Sequence, residues 1–298
     1  MGREDLTVPP DRQPPFLCLD RITKHYGKLC ILNRIDLSVR QGEFCTVVGP
    51  SGCGKSTLLR LILGQERASS GTLSIAGNPI GPPDTARGIV YQKYSLFPHL
   101  SVLENVMLGK RLRTSLWNRY RHKTQFREQA MYYLERVQLA DHGHKYPHEL
   151  SGGMQQRVAI AQALIMEPQV LLMDEPFGAL DPGTREDMQI FLLELWEELG
   201  MTIFFVTHDL EEAVFLGTRL LVLSQFYSDD PSREPHAHIG AKIVADYAIR
   251  EHAASTGVKA SVEFSQLVQQ VRREGFDPEY LQHVSAFNLQ HPDALVVS

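Results

Sequence analysis

Residues Gly49-Pro50-Ser51-Gly52-Cys53-Gly54-Lys55-Ser56-Thr57 constrain this chain more than any other stretch. They match G-x-x-x-x-G-K-[ST], a phosphate-binding loop. The short apolar run Phe44–Val48 leads in, and a helical pattern from Thr57 to Leu63 leads out and stops at Gly64, a helix C-cap. Such a strand–loop–helix lets several backbone N–H groups converge on one anion, and the helix N-terminus adds partial positive charge. The pattern assigns Lys55 to the β/γ-phosphates of a nucleotide and the Ser56 hydroxyl to Mg²⁺.

Beyond the loop, the chain alternates short apolar runs with turn signals, Phe16–Leu19 and Ile31–Val39 before it and Thr72–Ile75 after Ser69-Ser70-Gly71, which reads as a β-rich region with an antiparallel component. Residues 100–165 read as helical. Two fully apolar runs follow, Val170–Met173 and Ile203–Val206, with a helical stretch from Arg185 to Leu199 between them, closed by Gly200. Strand–helix–strand with buried runs predicts a parallel sheet, whose C-terminal edge is where such proteins bind ligands.

Asp174 and Glu175 end the first of these runs. Beside a phosphate loop, Asp174 is placed to hold Mg²⁺ and Glu175 to act as the base for an attacking water. His208, after the second run, is placed to sense the γ-phosphate. In Leu150-Ser151-Gly152-Gly153-Met154-Gln155-Gln156-Arg157, Ser151 is a natural N-cap for a helix from Met154 to Met166, and the two glycines leave N–H groups open to an anion. No lysine or metal ligand accompanies them, so this is half of a site.

With these motifs in order, the chain resembles an ATP-binding-cassette (ABC) ATPase, the nucleotide-binding subunit of a transporter, over residues 16–225. The resemblance adds Gln92 as the Q-loop glutamine and a further Mg²⁺ ligand, Gly178-Ala179-Leu180-Asp181 as the D-loop, and Tyr26 as the aromatic that stacks on adenine. It implies an α/β fold: a P-loop NTPase (RecA-like) core with an antiparallel β subdomain and an α-helical signature subdomain at about 95–165. It implies ATP and Mg²⁺ as cofactors and catalysis by Glu175, His208, Lys55 and Gln92. It also implies a head-to-tail pairing with a second copy or a paralogous cassette, in which Ser151, Gly152, Gly153 and Gln155 reach the other subunit's ATP.

The stretch Gln92–Val106 resembles the Q-loop region of bacterial importer ATPases, where a membrane permease subunit docks; Leu96, Phe97 and Pro98 are the candidates for that contact. The Leu195-Trp196 region and Phe204–Ala213 are similar to the nitrate/sulfonate/taurine group, although Phe97-Pro98-His99 stands where that group often has Leu-Pro-Trp. The resemblance implies a peripheral location at the cytoplasmic face of the inner membrane and an indirect partnership with a periplasmic or lipoprotein solute-binding protein. Importers of other solutes (polyamine, amino acid, urea-type) and a soluble non-transport ABC ATPase are the alternatives. Repair-type members carry a long coiled-coil insertion, whereas residues 58–149 alone separate the two motifs here.

Lys+Arg of 30 against Asp+Glu of 35 argues against a nucleic-acid partner. The four cysteines form no C-x-x-C pair, as in a reducing compartment. Cys53, inside the loop at a helix N-terminus, is expected to have a lowered thiol pKa and to be open to thiol reagents. Residues 1–15 read as a disordered tail without a signal sequence, and no apolar run is long enough to span a bilayer. Lys110–Arg127 carries seven Lys/Arg and no acid, with Trp117, Tyr120 and Phe126 interleaved; it reads as a solvated helical face, with anionic lipid or an acidic partner as the other reading. Residues 226–298 are expected to form an extension of loop and short helices. Phe264, Leu267, Val268 and Val271 mark an amphipathic helix closed by Gly275, and Asp277-Pro278 would start another.

Overall fold

A computed structural model describes residues 15–92, 95–115, 117, 121–228, 239–249, 259 and 261–294. Strands β1 (Leu17–Tyr26), β2 (Leu29–Val39), β4 (Ser70–Ile75) and β5 (Asn78–Pro79) form an antiparallel sheet in the order β2-β1-β4-β5. Its inward residues, Leu17, Leu19, Ile22, Ile35 and Leu37, alternate along the strands and close over one face of a larger sheet.

That larger sheet has the order β13-β11-β9-β3-β8-β7-β6. Strands β3 (Phe44–Val48), β6 (Arg87–Tyr91), β7 (Val170–Asp174), β8 (Thr202–Val206) and β9 (Arg219–Ser224) run parallel. Every residue of β3 and β8 is buried, because helices cover both faces, and this is why these strands read as continuous apolar runs. Helix α1 (Lys55–Leu63) packs beneath the antiparallel sheet, where Leu58, Leu61 and Ile62 join its core.

On the other face lie the helices α2 (Val102–Arg113), α3 (Lys123–Arg136) and α4 (Gly152–Leu164), followed by α5 (Pro182–Leu199) and α6 (Leu210–Leu216). Ser101 and Glu104 form a capping box that starts α2. Asp181 caps α5 through Thr184 N–H, with Pro182 at the first helical position. Gly64 (φ 79°) and Gly200 (φ 59°) end their helices in the left-handed conformation, as the sequence predicts.

The segment after Ser224 departs from a loop with short helices. Strand β11 (Lys242–Ala248) pairs antiparallel with β9, and β13 (Asn288–Leu289) adds a further edge; β10 (Tyr227–Ser228) pairs with β12 (Gln282–His283). The buried ion pair of Arg219 with Asp246, at 2.9 and 2.7 Å, ties β11 to the core sheet. Helix α7 (Val262–Phe276) buries Phe264, Val268 and Val271 as its periodicity predicts, but it runs through Gly275 and ends at Asp277. Asp277-Pro278 starts no helix: Asp277 accepts from Glu279 N–H and Tyr280 N–H in a local turn. Residues 1–14, Lys93, Tyr94, Tyr120 and 229–238 lie outside the described residues.

Candidate active site

The parallel register builds the site. Tyr91 pairs with Asp174, Asp174 with Val206, and Val47 with Val206, so β6, β7, β8 and β3 end level with one another. The residues one or two steps further are Gln92, Glu175, His208 and Gly49. Four segments far apart in sequence are thereby delivered to one edge of the sheet.

The phosphate loop folds over the N-terminus of α1. Gly54 (φ 106°) occupies the N-cap, and a Cβ there would fall 2.8 Å from Leu32 and 2.9 Å from Ile31, so both its conformation and its packing against β2 require glycine. Helix α1 begins at Lys55, two residues earlier than the pattern predicts. Lys55 is buried, and its Nζ donates to the carbonyls of Gly49 (2.7 Å) and Pro50 (3.0 Å), folding the cation back onto its own loop. Ser51 and Gly52 are exposed, and Cys53 and Thr57 are buried. The expectation for Cys53 is overturned: burial pushes its thiol pKa up, outweighing the lowering effect of Lys55. All four cysteines are free.

Ser56 Oγ donates to Asp174 Oδ1 at 3.1 Å. Burial raises the pKa of Asp174, and its bond from Ser56 only partly offsets this. Ser56, Tyr91, Gln92, Ser95, Asp174 and Glu175 line a polar cavity of ≈ 500 Å³. Hard oxygen donors around a desolvated carboxylate suit Mg²⁺, so the residues present fit that ion.

Glu175 holds φ 48°, unusual for a residue with a Cβ, and its N–H donates to Val206 O at 2.9 Å. Strain of this kind is tolerated where surrounding structure imposes it, commonly at catalytic positions. Its Oε2 lies 3.3 Å from His208 Nδ1. Gln92 extends along the D-loop; a Cβ on Gly178 would come within 2.9 Å of its Nε2.

Two groups of predicted residues stand apart from this cluster. Tyr26 is 44% exposed, and its hydroxyl donates to Glu66 at 2.5 Å while Lys24 sits 4.9 Å from the ring centroid. Ser151 is exposed and caps α4 through Met154 N–H, so that helix begins at Gly152 and ends at Leu164. Gly152 is half-buried and Gly153 buried. Gln155 donates to the carbonyls of Pro147 and Leu150, bracing the loop ahead of the helix. Among the described residues, no hydrogen bond or ion pair joins these signature residues to the phosphate loop.

The sequence reading missed what lies beneath His208. Thr207 donates to the buried Glu212 at 2.5 Å, Gln189 donates to Glu212 at 3.1 Å, and Lys259 donates to Gln189 at 2.9 Å. Thr207 also accepts from Asp209 N–H, fixing the turn that carries His208. In sequence, Glu211-Glu212 looks like ordinary helix-terminus charge, and the partners on α5 and near the C-terminus are too distant to suggest a network.

Comparison with known proteins gives the family. Residues 32–178 match the family model described as ABC transporter. A nitrate import ATP-binding protein of Synechocystis sp. is 48% identical over 198 residues, 66% of this chain and 72% of that protein. This chain belongs to the ABC transporter family. It is an ATP-binding cassette of the nitrate/taurine/sulfonate group and an ATPase. A taurine import ATP-binding protein of Chromobacterium violaceum is 45% identical over 70% of this chain and 78% of the relative. A spermidine/putrescine import ATP-binding protein of Treponema pallidum is likewise 45% identical, over 70% of this chain but 54% of that relative. Among solved structures, the dimeric bacterial ABC transporter cassette MJ0796 superposes with a TM-score of 0.63 at 31% identity, covering 79% of this chain and 99% of that one. The P-loop NTPase fold with its antiparallel β subdomain and helical subdomain is thus the expected one.

Proposed function

We propose that this cassette hydrolyses ATP to energise import of a small solute of the nitrate, sulfonate or taurine kind through a separate membrane permease. The observation that carries the reading is the level ending of β6, β7, β8 and β3, which sets Gln92, Asp174-Glu175, His208 and the phosphate loop side by side. Gly49–Thr57 and Lys55 would hold the phosphates. Ser56, Asp174 and Gln92 would hold Mg²⁺, which supplies neutralisation of phosphate charge when bound. Glu175 would accept the proton of the attacking water, and His208, 3.3 Å from it, would orient the pair toward the γ-phosphate.

The N-terminus of α4, with Ser151 exposed and Gly153 buried behind it, is the group we assign to the ATP of a second cassette, a copy or a paralogue, with Asp181 and Tyr26 beside the bound nucleotide. The dimeric neighbour supports this pairing.

The loop Leu96–Ser101 supports docking of the permease. Asn105, fully buried, accepts from Phe97 N–H at 2.7 Å and donates toward the carbonyls of Phe97, Leu100 and Ser101, holding the loop in shape while Phe97 stays 44% exposed. An open groove of ≈ 910 Å³ follows along α2 and α3, lined by Leu103, Met107, Phe126 and Met131 on its apolar side. No described helix is long and apolar enough to cross a membrane. The likeness to import ATP-binding proteins supports a place for the cassette at the cytoplasmic face, reached by a solute-binding protein only through the permease. The polyamine relative supports a second solute class. Co-purification of the permease and its binding protein, followed by uptake assays with nitrate, taurine, alkyl sulfonates and spermidine, decides the solute. Solute-independent ATPase activity and no membrane partner would overturn the importer reading.

A further inference from the structure

Two helix ends beside the groove carry a surface that the ATPase chemistry does not use. The C-terminal end of α2 presents Leu112, 67% exposed, and the exposed Arg113; the segment beyond presents Trp117, 89% exposed; the start of α3 presents the exposed Arg121, Lys123 and Arg127. Seven of the chain's 30 Lys/Arg fall in residues 110–127, while all 35 Asp/Glu lie outside. Lys110 is committed to Glu167 at 3.5 Å, and Arg113 donates to Thr85 at 2.6 Å. Arg121, Lys123 and Arg127 form no ion pair among the described residues. Their acidic neighbours are Glu128, next along α3, and Glu104, inside the groove.

We propose that Leu112, Trp117, Arg113, Arg121, Lys123 and Arg127 form a contact surface for an anionic phospholipid bilayer. Cations attract the acidic headgroups, each contributing about fivefold in binding near such a surface. An indole exposed to water at this level is the side chain that settles at the headgroup boundary, with its ring among the acyl chains and its N–H toward water. A duplex-binding surface would call for cations without an exposed Trp–Leu pair. Position agrees with charge. Arg111, Lys123 and Arg127 line the same groove as Ser101, the residue that closes the Phe97 loop and caps α2, and α2 is roughly 18 Å long. The inference rests on the permease-docking reading in this one respect: a permease bound at the Phe97 loop, by the N-terminus of α2, brings the patch at the other end of that helix within reach of its bilayer.

The test uses the full chain and vesicles without any permease, so it fails or succeeds independently of docking, which is read separately from co-purification of the permease with Phe97 variants. The cassette is expected to co-sediment with phosphatidylglycerol/phosphatidylcholine vesicles and not with phosphatidylcholine alone. Binding should weaken with salt, and the tryptophan emission should shift to the blue in a way that W117F abolishes. R121Q/K123Q should lose about fivefold in affinity per cation removed while its ATPase activity is unchanged, which shows that the variant is folded. Absence of binding, equal binding to neutral vesicles, or binding unaffected by R121Q/K123Q would overturn the proposal. So would displacement of the vesicles by duplex DNA with the same dependence on Arg121 and Lys123, which would assign the surface to nucleic acid.

Discussion

Ser56 Oγ donates to Asp174 Oδ1 at 3.1 Å, joining the start of α1 to the end of β7 across 118 residues of chain. The contact places two of the three predicted Mg²⁺ ligands side by side within a polar cavity whose other walls are the third, Gln92, together with Tyr91, Ser95 and Glu175. Asp174→Ala should therefore remove Mg²⁺-dependent nucleotide binding, read by titrating a fluorescent ATP analogue with and without Mg²⁺. Equal Mg²⁺ dependence in the variant would assign the ion to other residues.

Lys55 donates to two carbonyls of its own loop, so the cation is already inside the cradle when ATP arrives. Lys55→Ala should reduce ATP turnover to background and weaken nucleotide binding. Undiminished hydrolysis would remove the loop from the mechanism.

Glu175 sits beside His208 with a backbone conformation that few side chains adopt. Glu175→Gln keeps the shape and removes the base, so hydrolysis should fall by roughly 10²–10⁴-fold with ATP binding retained. Gel filtration with ATP should then reveal a stable dimer, and a species that remains monomeric would count against the shared site.

Asn105 has no exposure and organises the Phe97–Ser101 turn. Asn105→Ala removes the side-chain partner of the Phe97 N–H and of the Leu100 carbonyl, both part-buried, and should cost roughly 1–3 kcal/mol. Thermal unfolding measures that cost. In contrast, Phe97→Ala should leave the melting temperature near that of the native chain and weaken permease co-purification; loss of folding would instead make Phe97 a packing residue.

His291 lies 3.6 Å from Glu43 in a cluster that includes Asp293, Arg40 and Arg219. Burial, reinforced by Arg219, lowers its pKa to about 4. Its folded value lies below that of the unfolded chain, so the unfolded state binds the extra proton as pH falls through the ordinary imidazole range. Stability should decline from there down to about pH 4, and His291→Gln should flatten that part of the profile. An unchanged slope would mean that other groups carry it.

The sequence by itself determined which residues are candidates for the chemistry. The phosphate loop, the acidic pair ending an apolar strand and the glycine-started signature helix are local patterns, each written in a few consecutive residues with a backbone conformation they require. It also determined most elements, because strands buried on both faces and well-capped helices leave strong marks. What tertiary structure decided is long-range. The register that levels Gln92, Glu175, His208 and Gly49 depends on strand pairing between segments far apart. The raised thiol pKa of Cys53 follows from burial that outweighs its place at a helix N-terminus. The addition of β11 to the sheet depends on Arg219 finding Asp246, and the support of His208 depends on Glu212, Gln189 and Lys259 meeting beneath it. None of these contacts leaves a local periodicity, since each side chain looks ordinary until packing takes its partner's water away.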